Sequence, residues 1–147
     1  MTLAIFVHMI LVGILATYVL LALALWNVKL GLPRLDFPKA MTMLTYADSF
    51  DGNPPYWPGV IVIYFNGVFF TLLYATFFHQ FLPGTPLIQG ATWGVILWAV
   101  SGFFYVPVYL REGFFLSKLH PMAWFASLIV HGGFGLVVGW LVPVLPL

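Results

Sequence analysis

Four of the polar side chains inside the long apolar stretches of this chain are its best candidates for chemistry. They are His8, Asn66, Ser101 and His131. A polar group at membrane depth is costly, so each one is a candidate for a functional role. The apolar stretches contain no Asp, Glu, Lys or Arg. This argues against a proton pump, an ion-coupled transporter or a voltage sensor, because such proteins need intramembrane charge.

His131 has two interpretations. It lies about ten residues into the last apolar stretch, roughly 15 Å from the nearer membrane interface at ~1.5 Å per residue. An imidazole at that depth would ligate a haem or a chlorin, or bond to a quinone. Alternatively, a neutral imidazole would bond to Asn66, Ser101 or a backbone carbonyl and hold helices together. We take His131, Asn66 and Ser101 as candidate contacts for a quinone or pigment, and we expect an interhelical hydrogen bond from His131.

Motifs for catalysis and metal binding are absent from the sequence. The chain has no cysteine, which removes thiolate nucleophiles and iron–sulfur ligation. It also has no nucleophile elbow, HExxH zinc motif, phosphate loop or pair of catalytic carboxylates. His8, His79 and Met9 are too few ligands for a metal site, and His8 and His131 lie at unequal depths for one haem. We expect no catalytic residue, no metal and no intrinsic cofactor, although lipid, quinone or pigment would fit the aromatic helix faces.

Four apolar stretches must position these side chains, and each is long enough to cross ~30 Å of hydrocarbon. Hydrophobic residues make up 63% of the 147 residues and charged residues 6%, whereas a soluble domain is roughly one-quarter charged. The predicted fold is all-α: a polytopic membrane protein with a four-transmembrane-helix bundle in a single domain, 1–147. The predicted spans are residues 3–26, 58–79, 87–110 and 121–141, with Pro107 kinking the third and Pro143 and Pro146 ending the fourth.

A short helix is predicted between the first two spans. Asp36 can cap it, and Pro38 suits its first turn. Its apolar residues recur at helical spacing: Phe37, Ala40, Met41 and Leu44. This pattern favours an amphipathic helix at the membrane interface, with a lid or a docking element for a neighbouring subunit as the alternative. The segment that follows, residues 48–55, is turn-rich and predicted to be irregular.

The cations predict the orientation of the chain. They are Lys29, Arg34, Lys39, Arg111 and Lys118. All five fall in the first and third connections between spans, and the positive-inside rule assigns both connections to the cytoplasm. The chain is therefore expected in the prokaryotic cytoplasmic (inner) membrane, multi-pass, with both termini on the outer face.

Small residues recur four apart in every span. They are Gly13, Thr17, Gly67, Thr71, Gly90, Gly94, Gly135 and Gly139. Small residues at this spacing let helix backbones approach closely in lipid, so these eight are predicted helix-packing residues. Because the second and fourth spans can be superposed on these stripes, we also predict a two-plus-two internal repeat.

The order of several motifs resembles an uncharacterised family of small four-helix prokaryotic integral membrane proteins, a domain of unknown function. The motifs are Gly13 to Thr17, Leu32 to Asp36, the Pro83-Gly84 turn, and His131 to Gly135. The family often has a histidine in its second helix, whereas this chain has Ile63 there. The resemblance implies the four-helix architecture and no particular activity, since the family has none established.

The chain is almost entirely membrane span, with packing stripes and aromatic faces suited to neighbouring helices. We therefore expect a non-catalytic accessory subunit of a larger integral-membrane complex, in respiratory or photosynthetic electron transfer. The first alternative is a small membrane protein that binds a quinone, pigment or lipid in its own bundle, and the second is a small transporter or channel. The expected partners are other integral-membrane subunits and lipids. A net charge of +1 without a basic stripe argues against nucleic acid.

Overall fold

The computed structural model describes residues 2–46 and 55–142, and all regular structure in these residues is helical. The helices are α1 (Leu3–Trp26), α2 (Phe37–Tyr46), α3 (Tyr56–Thr76), α4 (Pro86–Val100) and α5 (Ala123–Leu141), with a π-helical continuation of α4 over Ser101–Leu110. Four of these helices, all but α2, are long and apolar enough to cross a membrane. The predicted all-α, multi-pass four-helix bundle is confirmed. Residues 48–54 of the predicted irregular segment, Pro143 and Pro146 lie outside the described residues.

Four helix ends differ from the prediction by one to three residues, and two of them are early starts: α3 begins at Tyr56 rather than at residue 58, and α4 at Pro86 rather than at residue 87. The helix α3 ends at Thr76 rather than His79, because Phe77 leaves helical geometry and a 3₁₀ turn, Phe78–Phe81, follows. The helix α5 begins at Ala123 rather than at residue 121. Before it, the His120 Nδ1 accepts a hydrogen bond from the Met122 N–H at 3.0 Å.

The third span changes geometry at its second half, where Pro107 was predicted to kink it. From Ser101 to Leu110 the helix has π-helical hydrogen bonding, with Pro107 inside it. Proline has no N–H and its ring crowds the carbonyl four residues earlier, which disfavours regular α-helical bonding. Wide π turns inside helices are frequent at functional sites. The residues of this segment therefore become candidates for a binding site.

Neighbouring spans are antiparallel and follow the order α3, α1, α5, α4 around the bundle. Two hydrogen bonds join α1 to α5, one at each end. The His8 Nε2 donates to the Leu141 carbonyl at 2.9 Å, and the Asn27 Nδ2 donates to the Ala126 carbonyl at 3.2 Å. The order leaves α3 and α4 on the two sides of a gap, with α1 and α5 behind it.

The predicted packing glycines lie in two seams, one on each side of the bundle. Between α4 and α5, a Cβ atom added at Gly135 would lie 2.7 Å from the Gly94 nitrogen, and one at Gly139 would lie 2.7 Å from the Gly90 Cα. Both distances are far below normal contact, so this seam requires glycine. All eight predicted packing residues are buried.

The second seam joins α1 to α3. A Cβ atom at Gly13 would lie 2.7 Å from the Val68 Cα, and one at Gly67 would overlap the Thr17 side chain. The Thr17 and Thr71 hydroxyls donate to carbonyls four residues earlier, at 2.7 and 2.8 Å. Both hydroxyl groups thus have a hydrogen-bond partner within their own helix. The backbones of α1 and α3 can therefore approach closely at this seam. The two seams pair the first span with the second and the third with the fourth, as a two-plus-two repeat would, although the repeat itself stays a prediction.

The short helix α2 packs directly on α3. The Asp36 carboxylate accepts the Lys39 N–H at 3.1 Å, so the predicted cap is present. The Thr42 hydroxyl donates to the Pro55 carbonyl at 3.1 Å, and a Cβ atom at Gly59 would overlap the Pro38 carbonyl.

The packing of α2 on α3 determines which of its residues are buried. Pro38, Met41 and Thr42 are buried, whereas Leu44 remains 40% exposed. Of the predicted apolar face, Met41 is thus buried in the bundle and Leu44 is not. The placement of α2 at the membrane interface stays a prediction.

Candidate functional site

A cavity of about 970 Å³ fills most of the gap between α3 and α4. Side chains of these two helices form its sides, α1 and α5 form its back, and α2 covers it. Ligand-binding pockets usually measure roughly 300–1,000 Å³ and have mainly apolar walls with a few polar groups. In size and lining this cavity fits that description.

The two ends of the cavity have different chemistry. One end reaches the connections that carry the charged residues, with Arg34, Asp36, Lys39 and Glu112 at its rim. The interior is lined largely by apolar and aromatic side chains, including Phe70. The cavity is thus amphipathic along its length, with charge only at the rim.

Beyond Phe70, aromatic rings close the gap between α3 and α4. Trp93 is 2% exposed, and its ring centroid lies 6.4 Å from Phe70, 6.2 Å from Tyr74 and 4.6 Å from Phe78. The Tyr74 hydroxyl also donates to the Pro86 carbonyl at 3.4 Å. We call Phe70, Tyr74, Phe78 and Trp93 the aromatic plug. It confines the cavity to the half of the bundle that ends at the charged connections.

The three candidate contact residues come together in this cavity. Asn66 from α3, Ser101 from the π-helical segment and His131 from α5 all line it. They are distant in sequence, and the structure places them around one volume. Whether they bind a ligand remains a prediction.

The His131 ring is held by its own helix. It is 8% exposed, and its Nδ1 lies 2.9 Å from the Ser127 carbonyl oxygen. A carbonyl oxygen can only accept, so Nδ1 carries the proton, and the neutral ring has Nε2 as an acceptor. The predicted hydrogen bond from His131 to another helix is therefore wrong, because Nδ1 donates instead to the Ser127 carbonyl of the same helix. Within the described residues, Nε2 has no hydrogen-bond partner.

Two side chains of α2 reach the polar groups of the cavity. The Phe37 ring lies edge-on to the His131 ring, with centroids 5.9 Å apart. The Met41 sulfur accepts from the Asn66 Nδ2 at 3.6 Å and from the Tyr105 hydroxyl at 3.7 Å. A thioether is a weak acceptor. The Asn66 Nδ2 and the Tyr105 hydroxyl therefore both donate to one weak acceptor.

Tyr105 and Met41 are cavity residues that the sequence interpretation did not single out. Tyr105 was one of many aromatic residues in the third span, and Met41 was only an apolar position of the short helix. A signal for Tyr105 was present: it lies four residues after Ser101, and residues at this spacing share a helix face. Met41 follows Phe37 at the same spacing. These spacings could have placed both residues near the polar candidates.

The other buried or interhelical histidines lie outside the cavity lining. His8 joins α1 to α5 through the bond to Leu141 described above. His79, the last residue of the predicted second span, is buried, and its Nδ1 donates to the Tyr74 carbonyl at 3.2 Å. Among residues 2–46 and 55–142, no three His, Asp or Glu side chains are grouped so that they could hold a metal ion.

Comparison with protein-family models, curated proteins and solved structures finds no match to this chain. The resemblance to a family of four-helix prokaryotic membrane proteins therefore stays a prediction. The cavity is therefore the observation that bears on function.

Proposed function

We propose that this multi-pass membrane protein binds a lipophilic small molecule, a quinone, a pigment or a lipid, in the cavity between α3 and α4. The observation that carries the proposal is the set of poorly partnered polar groups in a largely apolar cavity: His131, Asn66 and Tyr105. A buried polar group without a good partner costs about 1–3 kcal/mol. A bound molecule that supplied those partners would offset this cost.

The test is extraction of the ligand from the purified protein. Protein isolated in mild detergent is extracted with organic solvent, and bound molecules are identified by mass spectrometry. Ser101→Phe should remove the ligand, since Ser101 lines the cavity and a phenyl ring would occupy it. Val95→Phe is the matched control, because Val95 is on the same span but exposed and outside the lining. The proposal would be contradicted if both variants and the unaltered protein yielded the same amount of extracted molecules, in the same proportions as the surrounding bulk lipid.

We also propose the predicted placement in a prokaryotic cytoplasmic membrane, with both termini on the outer face. The arrangement of the helices supports it, because the first and third connections, which carry all five cations, lie at one end of the antiparallel bundle. A reporter fused after Leu147 should report a periplasmic location, and the same reporter inserted after Lys118 a cytoplasmic one. The reverse pattern would disprove this orientation.

The role expected first from the sequence, that of an accessory subunit in respiratory or photosynthetic electron transfer, stays a prediction, as does that of a small transporter or channel. Ligand binding is compatible with the first of these, because a bound quinone or pigment would suit such a complex. Native mass spectrometry in mild detergent distinguishes them. An accessory subunit should appear with other subunits, whereas a self-sufficient binding protein should appear as this chain with its ligand.

A further inference from the structure

The hydrogen-bonding character of His131 limits what can bind beside it. Because Nδ1 donates to the Ser127 carbonyl, only Nε2 remains, and it can only accept. No acidic side chain lies inside a span to hold a charged imidazolium, and an unpaired charge at this depth is costly. His131 therefore offers a ligand one acceptor, and it cannot donate to a carbonyl.

Asn66 and Tyr105 supply hydrogen-bond donors to the cavity. Their N–H and O–H groups both donate to the Met41 sulfur at more than 3.5 Å. An oxygen atom of a ligand is a much stronger acceptor than a thioether. Both donors would gain by turning toward such an oxygen. The cavity thus presents a lone acceptor at His131 Nε2 and donors without a strong partner at Asn66 and Tyr105, while the Asn66 amide oxygen can also accept.

The α2 helix brings these groups into one part of the cavity. Phe37 contacts the His131 ring, and Met41 contacts Asn66 and Tyr105. Phe37 and Met41 are four residues apart on α2, and residues at this spacing have Cβ atoms about 5–6 Å apart. All three polar groups thus lie beneath about one turn of α2. Phe37, Phe70, Phe104 and Phe134 supply aromatic walls to the cavity.

An acyl chain matches the cavity less well. It would fill the volume but leave His131 Nε2 without a partner and Asn66 and Tyr105 with only the Met41 sulfur. A haem or chlorin would be held through His131 Nε2. A ring that carries a hydroxyl on one side and an oxygen on the other satisfies all three groups.

We propose that the ligand is a quinone-type ring, and that the site prefers its reduced, hydroxyl-bearing form. One ring hydroxyl of the quinol donates to His131 Nε2, and the hydroxyl on the other side accepts from Tyr105 or the Asn66 Nδ2 and donates to the Asn66 amide oxygen. The oxidised ring has only carbonyl oxygens, which cannot donate to Nε2. This inference rests on the proposed function, and it names the ligand class and the redox form that the cavity selects.

The experiment compares the two redox forms of one probe. Decyl-benzoquinone is titrated into the detergent-purified protein, either oxidised or kept reduced with dithionite. One hydrogen bond to a buried acceptor favours the reduced form by about tenfold in affinity. For a two-electron couple, a tenfold preference raises the midpoint potential of the bound ring by about 30 mV. Equal affinity for the two forms, or tighter binding of the oxidised form, overturns the inference.

Variants separate the acceptor from the donors. His131→Leu should abolish the preference for the quinol, and His131→Gln should keep part of it because its amide oxygen accepts. Tyr105→Phe should weaken both redox forms by a similar factor and leave the preference unchanged, since both forms have an oxygen to accept from it. His120→Leu is the control, because His120 is exposed and outside the cavity lining. A preference that survives His131→Leu in a folded variant overturns the inference.

The remaining outcomes distinguish this inference from the proposed function. Lipid that is extracted from the protein and lost in Ser101→Phe, with no quinol binding, overturns the inference and keeps the proposed function. A Soret band that disappears in His131→Gln overturns the inference in favour of a haem. No bound molecule of any kind, with no affinity for either form of the probe, overturns both.

Discussion

The gap between α3 and α4 is filled at one end and empty at the other, although the same two helices form both ends. At the filled end the aromatic plug surrounds Trp93, whose indole N–H has no hydrogen-bond partner among the described residues. At the empty end Asn66, Ser101 and Tyr105 line the cavity. The glycine seams bind α3 to α1 and α4 to α5. The gap is thus filled where rings from its two sides contact Trp93, and a cavity remains beyond Phe70.

The largest expected effect comes from opening the filled end. Trp93→Ala should destabilise the protein by about 3–5 kcal/mol, the range for deleting a buried large aromatic side chain. Trp93→Phe should cost much less, because it keeps a ring and removes the unpaired N–H. Thermal unfolding in detergent measures both. A Trp93→Phe variant as unstable as Trp93→Ala would mean that the indole N–H has a partner that matters.

The next effect comes from the glycine seams. Gly135→Ala places a Cβ against the backbone of Gly90 and Gly94, so it should cost about 1–3 kcal/mol by overpacking. Gly132→Ala is a matched control on the same helix, since a Cβ there meets no atom within 4 Å. It should be neutral or slightly stabilising, because alanine favours helix by about 0.5–1 kcal/mol over glycine. Equal melting temperatures for the two variants would argue against the seam.

A smaller effect is expected where the plug meets the cavity. Phe70 packs on Trp93 and lines the cavity. Phe70→Leu should therefore lose the ring contact, worth about 0.5–1.5 kcal/mol. Phe65→Leu on the outer face of α3, where the ring is 70% exposed, should have no measurable effect. Equal stabilities in detergent would show that the plug contributes little at its edge.

The smallest effect on stability is expected at His131. Its hydrogen bond stays within α5, so His131→Leu should cost less than about 1 kcal/mol, at the low end of hydrogen bonds within membrane proteins. His131→Gln should cost still less. Chemical denaturation of both variants checks this, with ligand content measured in parallel. A loss of several kcal/mol with unchanged ligand content would make His131 a structural residue.

Most of the architecture could be predicted from the sequence because it depends on local properties. Apolar length determines a span, as in Leu3–Trp26, which agrees with the prediction at both ends. The Asp36 cap depends on residues three positions apart, and the place of the wide turns follows from Pro107. The packing glycines were recognisable because small residues four apart have few other uses in a membrane helix.

The cavity and its chemistry were decided by the tertiary structure. The spans are apolar all round, so their periodicity does not indicate which face is buried. The partner of His131 depended on the competition between a carbonyl of its own helix and groups on other helices. Asn66, Tyr105 and Met41 meet only because α2 packs on α3 and reaches across the gap. The sequence determined that four membrane-length helices form. Long-range packing determined that they enclose a cavity with Asn66, Tyr105 and His131 in its wall.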